Sequence, residues 1–146
     1  FGPVEFNTDS STVVCMPGAD AVISEVGYAE LSQRHGPCDG IQQRQGPDCN
    51  AAIHRYCAQT GQTSGYGPLE NYEDRAQIAC TPQGEVIHTS YTELSGHYAG
   101  CHVGYRIGQD CNQAIHRFCI SRGAISGFGP VENSGDVAVV TCVGRQ

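Results

Sequence analysis

Asp48-Cys49-Asn50-Ala51-Ala52-Ile53-His54-Arg55-Tyr56-Cys57 returns 62 residues later as Asp110-Cys111-Asn112-Gln113-Ala114-Ile115-His116-Arg117-Phe118-Cys119. Working outward, Tyr28-Ala29-Glu30-Leu31-Ser32 returns as Tyr91-Thr92-Glu93-Leu94-Ser95, and Cys38 matches Cys101. Ser64-Gly65-Tyr66-Gly67-Pro68-Leu69-Glu70 returns as Ser126-Gly127-Phe128-Gly129-Pro130-Val131-Glu132. The Gly-Pro element occurs a third time at Phe1-Gly2-Pro3-Val4-Glu5, and in each copy a cysteine (Cys15, Cys80, Cys142) lies fourteen positions after the aromatic residue. Self-similarity of this kind marks repeated supersecondary units. The chain therefore reads as three tails separated by two heads: a partial repeat over 1–27, a first full module over 28–90 and a second over 91–146.

The decisive stretch predicts a helix from Asp48 to about Thr60. Asp48 suits an N-cap, Ala52, Ile53, Tyr56 and Cys57 fall on one stripe, and Gly61 suits a stop. Asp110, Ala114, Ile115, Phe118, Cys119 and Gly123 repeat these roles. The tails end in apolar, β-branched runs bounded by turn residues, which read as strands of small hairpins. Further strands are expected at Ala21–Val26 and Glu85–His88. The expected fold class is α+β: two small disulfide-stapled modules, each with one short helix on a few antiparallel strands, plus an extra N-terminal hairpin.

Nine cysteines in 146 residues suggest an oxidising, extracellular setting. Each module carries four: Cys38, Cys49, Cys57 and Cys80, then Cys101, Cys111, Cys119 and Cys142. Cys49 and Cys57 stand about 12 Å apart along one helix at a rise of about 1.5 Å per residue. A disulfide spans only roughly 4.4–6.8 Å between Cα atoms, so one must turn to the strand cysteine and the other to the loop cysteine. Which goes where stays open. Zinc ligand spacing is absent, and no metal or cofactor is expected. Cys15 is the odd cysteine; an intermolecular bridge or a buried thiol would account for it. A homodimer through Cys15 or the N-terminal fragment is one expectation, and a piece cut from a longer array is another. The opening Phe1 fits either a processed form or a fragment.

Eight arginines, no lysine and fifteen acids leave a net charge of −7 with no basic stripe. Nucleic acid and anionic membrane surfaces are not expected partners, and the apolar runs are far short of the ~20 residues that span a bilayer. Nucleophile-elbow, zinc-protease, phosphate-loop, Rossmann and EF-hand motifs are all missing, so an enzyme is not the expectation.

Two polar constellations remain. His54-Arg55 and His116-Arg117 are duplicated on the helix, where the bland role is a loop hydrogen bond and a local ion pair. Glu70 and Asp74, like Glu132 and Asp136, flank turns containing Asn71 and Asn133. Paired carboxylates could serve glycoside hydrolysis, but the pair recurs as Glu5 and Asp9, which argues for turn capping or for carbohydrate contact beside the aromatics Tyr66 and Phe128. The loops 32–36 and 95–100 are polar and glycine-rich, as binding loops often are.

The tandem unit, with Asp-Cys-Asn-x-Ala-Ile-His-Arg-(Tyr/Phe)-Cys and (Phe/Tyr)-Gly-Pro-(Val/Leu)-Glu, resembles secreted cysteine-rich repeat lectins of marine invertebrates such as sponges. The resemblance implies a secreted, multivalent sugar-binding protein whose partners are glycans or glycoproteins, with N-acetylated hexosamines as the expected sugars. The competing expectation is an extracellular structural or defence protein, such as a matrix repeat or protease inhibitor; a glycoside hydrolase ranks below both.

Overall fold

A computed structural model describes residues 1–145. In chain order the elements are β1 (Glu5–Phe6), β2 (Ser11–Thr12), a 3-10 turn (Gly18–Asp20), β3 (Val22–Gly27), α1 (Tyr28–Arg34), α2 (Pro47–Gln59), β4 (Ser64–Tyr72) and β5 (Arg75–Thr81). They continue with β6 (Glu85–Ser90), α3 (Tyr91–His97), α4 (Gln109–Ser121), β7 (Ala124–Ser134) and β8 (Val137–Arg145). The class is α+β, as expected. Three antiparallel sheets run β1-β2, β3-β5-β4 and β6-β8-β7.

The chain divides into two compact units, Met16–Gln83 and a second that joins Phe1–Cys15 to the residues from Gly84 onward. The stretch 1–27 is therefore split. Its first fifteen residues lie with the second module, while β3 pairs with β5 in register Val22↔Cys80 to Gly27↔Arg75. In the same way β6 pairs with β8, from Glu85↔Cys142 to Ser90↔Val137. Each module is thus strand, short helix, long helix and hairpin.

The long helices begin one residue earlier than the sequence reading places them. Gly46 is the N-cap and Pro47 opens α2, because proline's missing N–H costs nothing at the first helical position and its φ is already helical. Asp48 sits in the first turn, where its charge complements the helix dipole. In α2 the buried residues are Cys49, Ala51, Ala52, Ile53 and Cys57. Tyr56 is only partly buried against that core, whereas its counterpart Phe118 is fully buried.

The reading of one helix per head is corrected to two. At seven residues, α1 and α3 are below the length at which helices persist alone. They hold because Tyr28 and Leu31, or Tyr91 and Leu94, are buried at i, i+3 spacing in the module cores.

The disulfides resolve the pairing: Cys38–Cys49 and Cys57–Cys80, then Cys101–Cys111 and Cys119–Cys142. The helix-to-strand bridge demands glycine on the neighbouring strand. A Cβ on Gly65 would lie 2.2 Å from Cys57 Sγ, and one on Gly127 would lie 2.2 Å from Cys119 Sγ. The repeated Gly-Pro marks a break in register between Tyr66 and Glu70 and between Phe128 and Glu132. Gly67 and Gly129 take φ of +151° and +142° there, which favours glycine, and each precedes a cis proline, as Gly2 does.

Candidate functional site

The disulfide Cys38–Cys49 closes a loop over residues 39–46 that is packed onto the first module. The Asp39 carboxylate accepts from the backbone N–H of Ile41 at 2.8 Å and of Gln42 at 2.6 Å, a local turn that such side chains favour. Those hydrogen bonds, Ile41's first, hold its carboxyl below the usual carboxylate range. Gly40 lies against Tyr28: a Cβ there would come within 2.6 Å of the ring.

Arg44 then clasps the loop to the body. Its guanidinium lies 5.0 Å from the Tyr28 ring centroid and donates to the Glu73 carbonyl at 2.6 Å. The Tyr28 hydroxyl donates to Asn71 Oδ1 and is pushed to higher pKa chiefly by burial. Between loop and hairpin lies an open groove of 490 Å³ lined by Ile41, Gln42, Gln43, Arg44, Gln45 and Asn71. Three glutamines and an asparagine supply donors and acceptors side by side. Arg44 is the one charged lining residue, and Ile41 is 90% exposed.

The second module builds its equivalent loop differently. Cys101–Cys111 encloses a tight turn in which His102 and Tyr105 exchange backbone hydrogen bonds of 3.2 and 2.8 Å. Arg106 stands 5.1 Å from the Tyr91 ring centroid, repeating the Arg44–Tyr28 contact. Burial drives the Tyr91 hydroxyl up to about 12, and it donates to Asn133 Oδ1. Val103, Tyr105 and Ile107 are exposed here in place of the glutamines.

Of the residues singled out from sequence, only Asn71 lines the groove. Glu70 accepts from the Tyr72 hydroxyl on the exposed outer part of β4. Tyr66 is half-buried ahead of the register break, and Glu132 is half-buried on β7. Asp74 and Asp136 anchor the short helices: their carbonyls accept from Tyr28 N and Tyr91 N, both at 2.8 Å. Asp136 Oδ2 also accepts from Thr92 Oγ1 at 3.1 Å. Phe128 is buried, with the ring of Phe1 edge-on at 5.4 Å.

The histidines join helix to strand, His54 Nδ1 to Ser64 Oγ at 2.8 Å and His116 Nδ1 to Ser126 Oγ at 2.9 Å. Burial is the main cause of a lowered pKa for His116. Arg55 donates to the Arg34 carbonyl at 2.9 Å. Arg117 grips Glu5 through Nε–Oε1 at 2.7 Å and Nη2–Oε2 at 2.9 Å, and this pairing lowers the Glu5 pKa. His54, His116, Arg117, Asn133 and Asp136 thus all make internal contacts that hold their modules together.

The sequence reading passed over Ile41, Gln42, Gln43, Arg44 and Gln45. The available signal was Gln42-Gln43-Arg44-Gln45, a polar run between two glycines and two cysteines where the repeats diverge. Among the described residues, no helix is long and apolar enough to cross a membrane, and no group of three or more His, Cys, Asp or Glu residues could hold a metal ion. No protein-family model, curated protein or solved structure matches this chain.

Proposed function

We propose that this is a secreted carbohydrate-binding protein whose sugar site is the groove beneath the 39–46 loop. The observation that carries the reading is the lining itself. Sugar hydroxyls both donate and accept, and the amides of Gln42, Gln43, Gln45 and Asn71 answer in kind. Its volume falls within the usual range for small-molecule sites, but its polar lining suits a hydrated ligand over an apolar one. Exposed Ile41 offers an apolar contact for the methyl of an acetamido group. With one arginine in the groove and a net charge of −7, a neutral sugar fits better than a phosphorylated one. The second stapled loop, with Tyr105 exposed, would add a stacking site, and two weak sites on one molecule gain by avidity. Four disulfides suit a protein of an oxidising compartment.

A glycan array with the non-reduced protein, competed with free N-acetylglucosamine and N-acetylgalactosamine, tests the reading. Saturable binding should weaken about tenfold in Gln43→Ala, the loss of about 1.4 kcal/mol of hydrogen bonding. Binding to no glycan would end it. One observation favours a second reading. Val103, Tyr105 and Ile107 form an exposed apolar set on a stapled loop, as a protein partner or protease would recognise. Protein capture that survives Gln43→Ala but is lost in Tyr105→Ala would put that reading ahead.

A further inference from the structure

In both modules the tail is one part of a covered sheet. Ala76, Ile78 and Cys80 on β5 are buried, as are Ala138, Val140 and Cys142 on β8. Each cysteine is bonded to the second cysteine of its head's long helix. The same register in the first tail holds Ser11, Val13 and Cys15. Here Val13 is 59% exposed and Cys15 is an exposed free thiol. The strand edge is open as well. β5 lies between β3 and β4, and β8 between β6 and β7, whereas β2 pairs with β1 alone among the described residues.

This hairpin is nevertheless fully built. Val4 N donates to Thr12 O at 2.8 Å, the Phe1 amine donates to Val14 O at 2.7 Å, and Glu5 is held by Arg117 and Gln113. Three features of one face thus lack what a head supplies to the other two tails: a neighbouring strand, an apolar cover and a cysteine.

We propose that this face is the docking site for one further head of the chain's own repeat type. A strand equivalent to β6 adds to the free edge of β2, in the mode by which sheets accept added strands. Its Glu85, Ile87 and Thr89 positions fall opposite Cys15, Val13 and Ser11, as they fall opposite Cys142, Val140 and Ala138 in the second module. A helix equivalent to α4 covers Val13, and its second cysteine bonds Cys15. The two thiols lose two electrons and two protons to oxidised glutathione, which leaves as two molecules of reduced glutathione. A second copy of this chain does not supply such a head, because its Cys57 and Cys119 are already bonded.

The test uses the full chain with a copy of residues 84–127 fused ahead of Phe1, so that Gly127 precedes Phe1 as it precedes Phe128. After oxidation with glutathione, Cys15 should resist iodoacetamide and map by mass to the added copy of Cys119. The Ser11 and Val13 amides should exchange at least about tenfold more slowly than in the unfused chain. A fused Cys15→Ser chain should keep that slowing, which separates docking from the covalent tether, and fused Val13→Asp should lose it. Cys15 remaining alkylatable, capped by glutathione or joined to another Cys15, with unchanged amide exchange, overturns the proposal. An added head that stays unfolded beside a folded chain overturns it too, since this face is then no surface on which a head folds.

Discussion

In the first module the end of α1 is tied to α2 by a polar cluster. His35 Nε2 donates to Asp48 Oδ1 at 2.7 Å, and Nδ1 accepts from Arg55 Nη1 at 3.3 Å. The arginine can only donate, which sets the tautomer. In the second module Tyr98 stands at the His35 position, and Arg117 lies 5.3 Å from its ring centroid. Near it, Gly100 packs so close to Asp110 that a Cβ would fall 2.3 Å from the carboxylate. The stapled loops differ as widely, glutamine-rich in one module and apolar with an exposed tyrosine in the other. Sheets, helices and disulfides are nearly the same. Covalent bridges and buried apolar stripes carry the scaffold, so the polar surface between them is free to diverge.

That division can be broken most forcefully at the bridges. Cys57–Cys80 and Cys119–Cys142 both span 23 residues. Replacing either pair by serine should cost about 3 kcal/mol in urea unfolding. The two losses should match within error, and unequal losses would show that the modules do not share one scaffold. The shorter bridges, spanning 11 and 10 residues, should each cost about 0.6 kcal/mol less.

Helix capping sharpens the comparison at smaller scale. Ser90 caps α3 by accepting from Glu93 N at 3.0 Å, whereas α1 starts at Gly27 with no side-chain cap. Ser90→Ala should destabilise by about 1 kcal/mol, and Gly27→Ser should stabilise by a few tenths. A Cβ at Gly27 meets only the Asp74 carbonyl, at an ordinary 3.9 Å. Thermal unfolding of the two variants reads both signs.

The smallest effect is a pH dependence in the unit built around the second module. Burial lowers the His116 pKa, so below its ordinary 6.5 the unfolded chain takes up the proton first. Stability should fall as pH drops from 6.5 towards the folded value. Glu5, held low by Arg117, adds a further loss as pH falls below 4.5 through its folded pKa. His116→Asn should flatten the upper part of this slope in pH-dependent unfolding, and Arg117→Ala the lower part.

Much of the fold was legible because repetition lets each copy check the other. The helix from Asp48 to about Thr60, the tail strands and the helix-to-elsewhere disulfide logic all follow from periodicity and spacing, while the helix's start at Pro47 does not. The short helices were not legible, because seven residues carry no stable propensity and Tyr28 and Leu31 gain their burial only from the rest of the module. The candidate site was legible only through Asn71. Residues that repeat faithfully, such as His54 and Asp136, do so because they hold modules together, while the groove is lined largely by residues that do not repeat.

By itself the sequence determined the repeat, the α+β class, the long helices and the exclusion of a Cys49–Cys57 bond, since these depend on local spacing and on distances along a helix. Tertiary structure decided which cysteine meets which, that the first tail packs with the second module through Glu5 and Arg117, and that Arg44 and Asn71 line one groove. Those contacts join residues far apart in the chain, and only close packing of the folded modules selects among partners that local chemistry leaves equivalent.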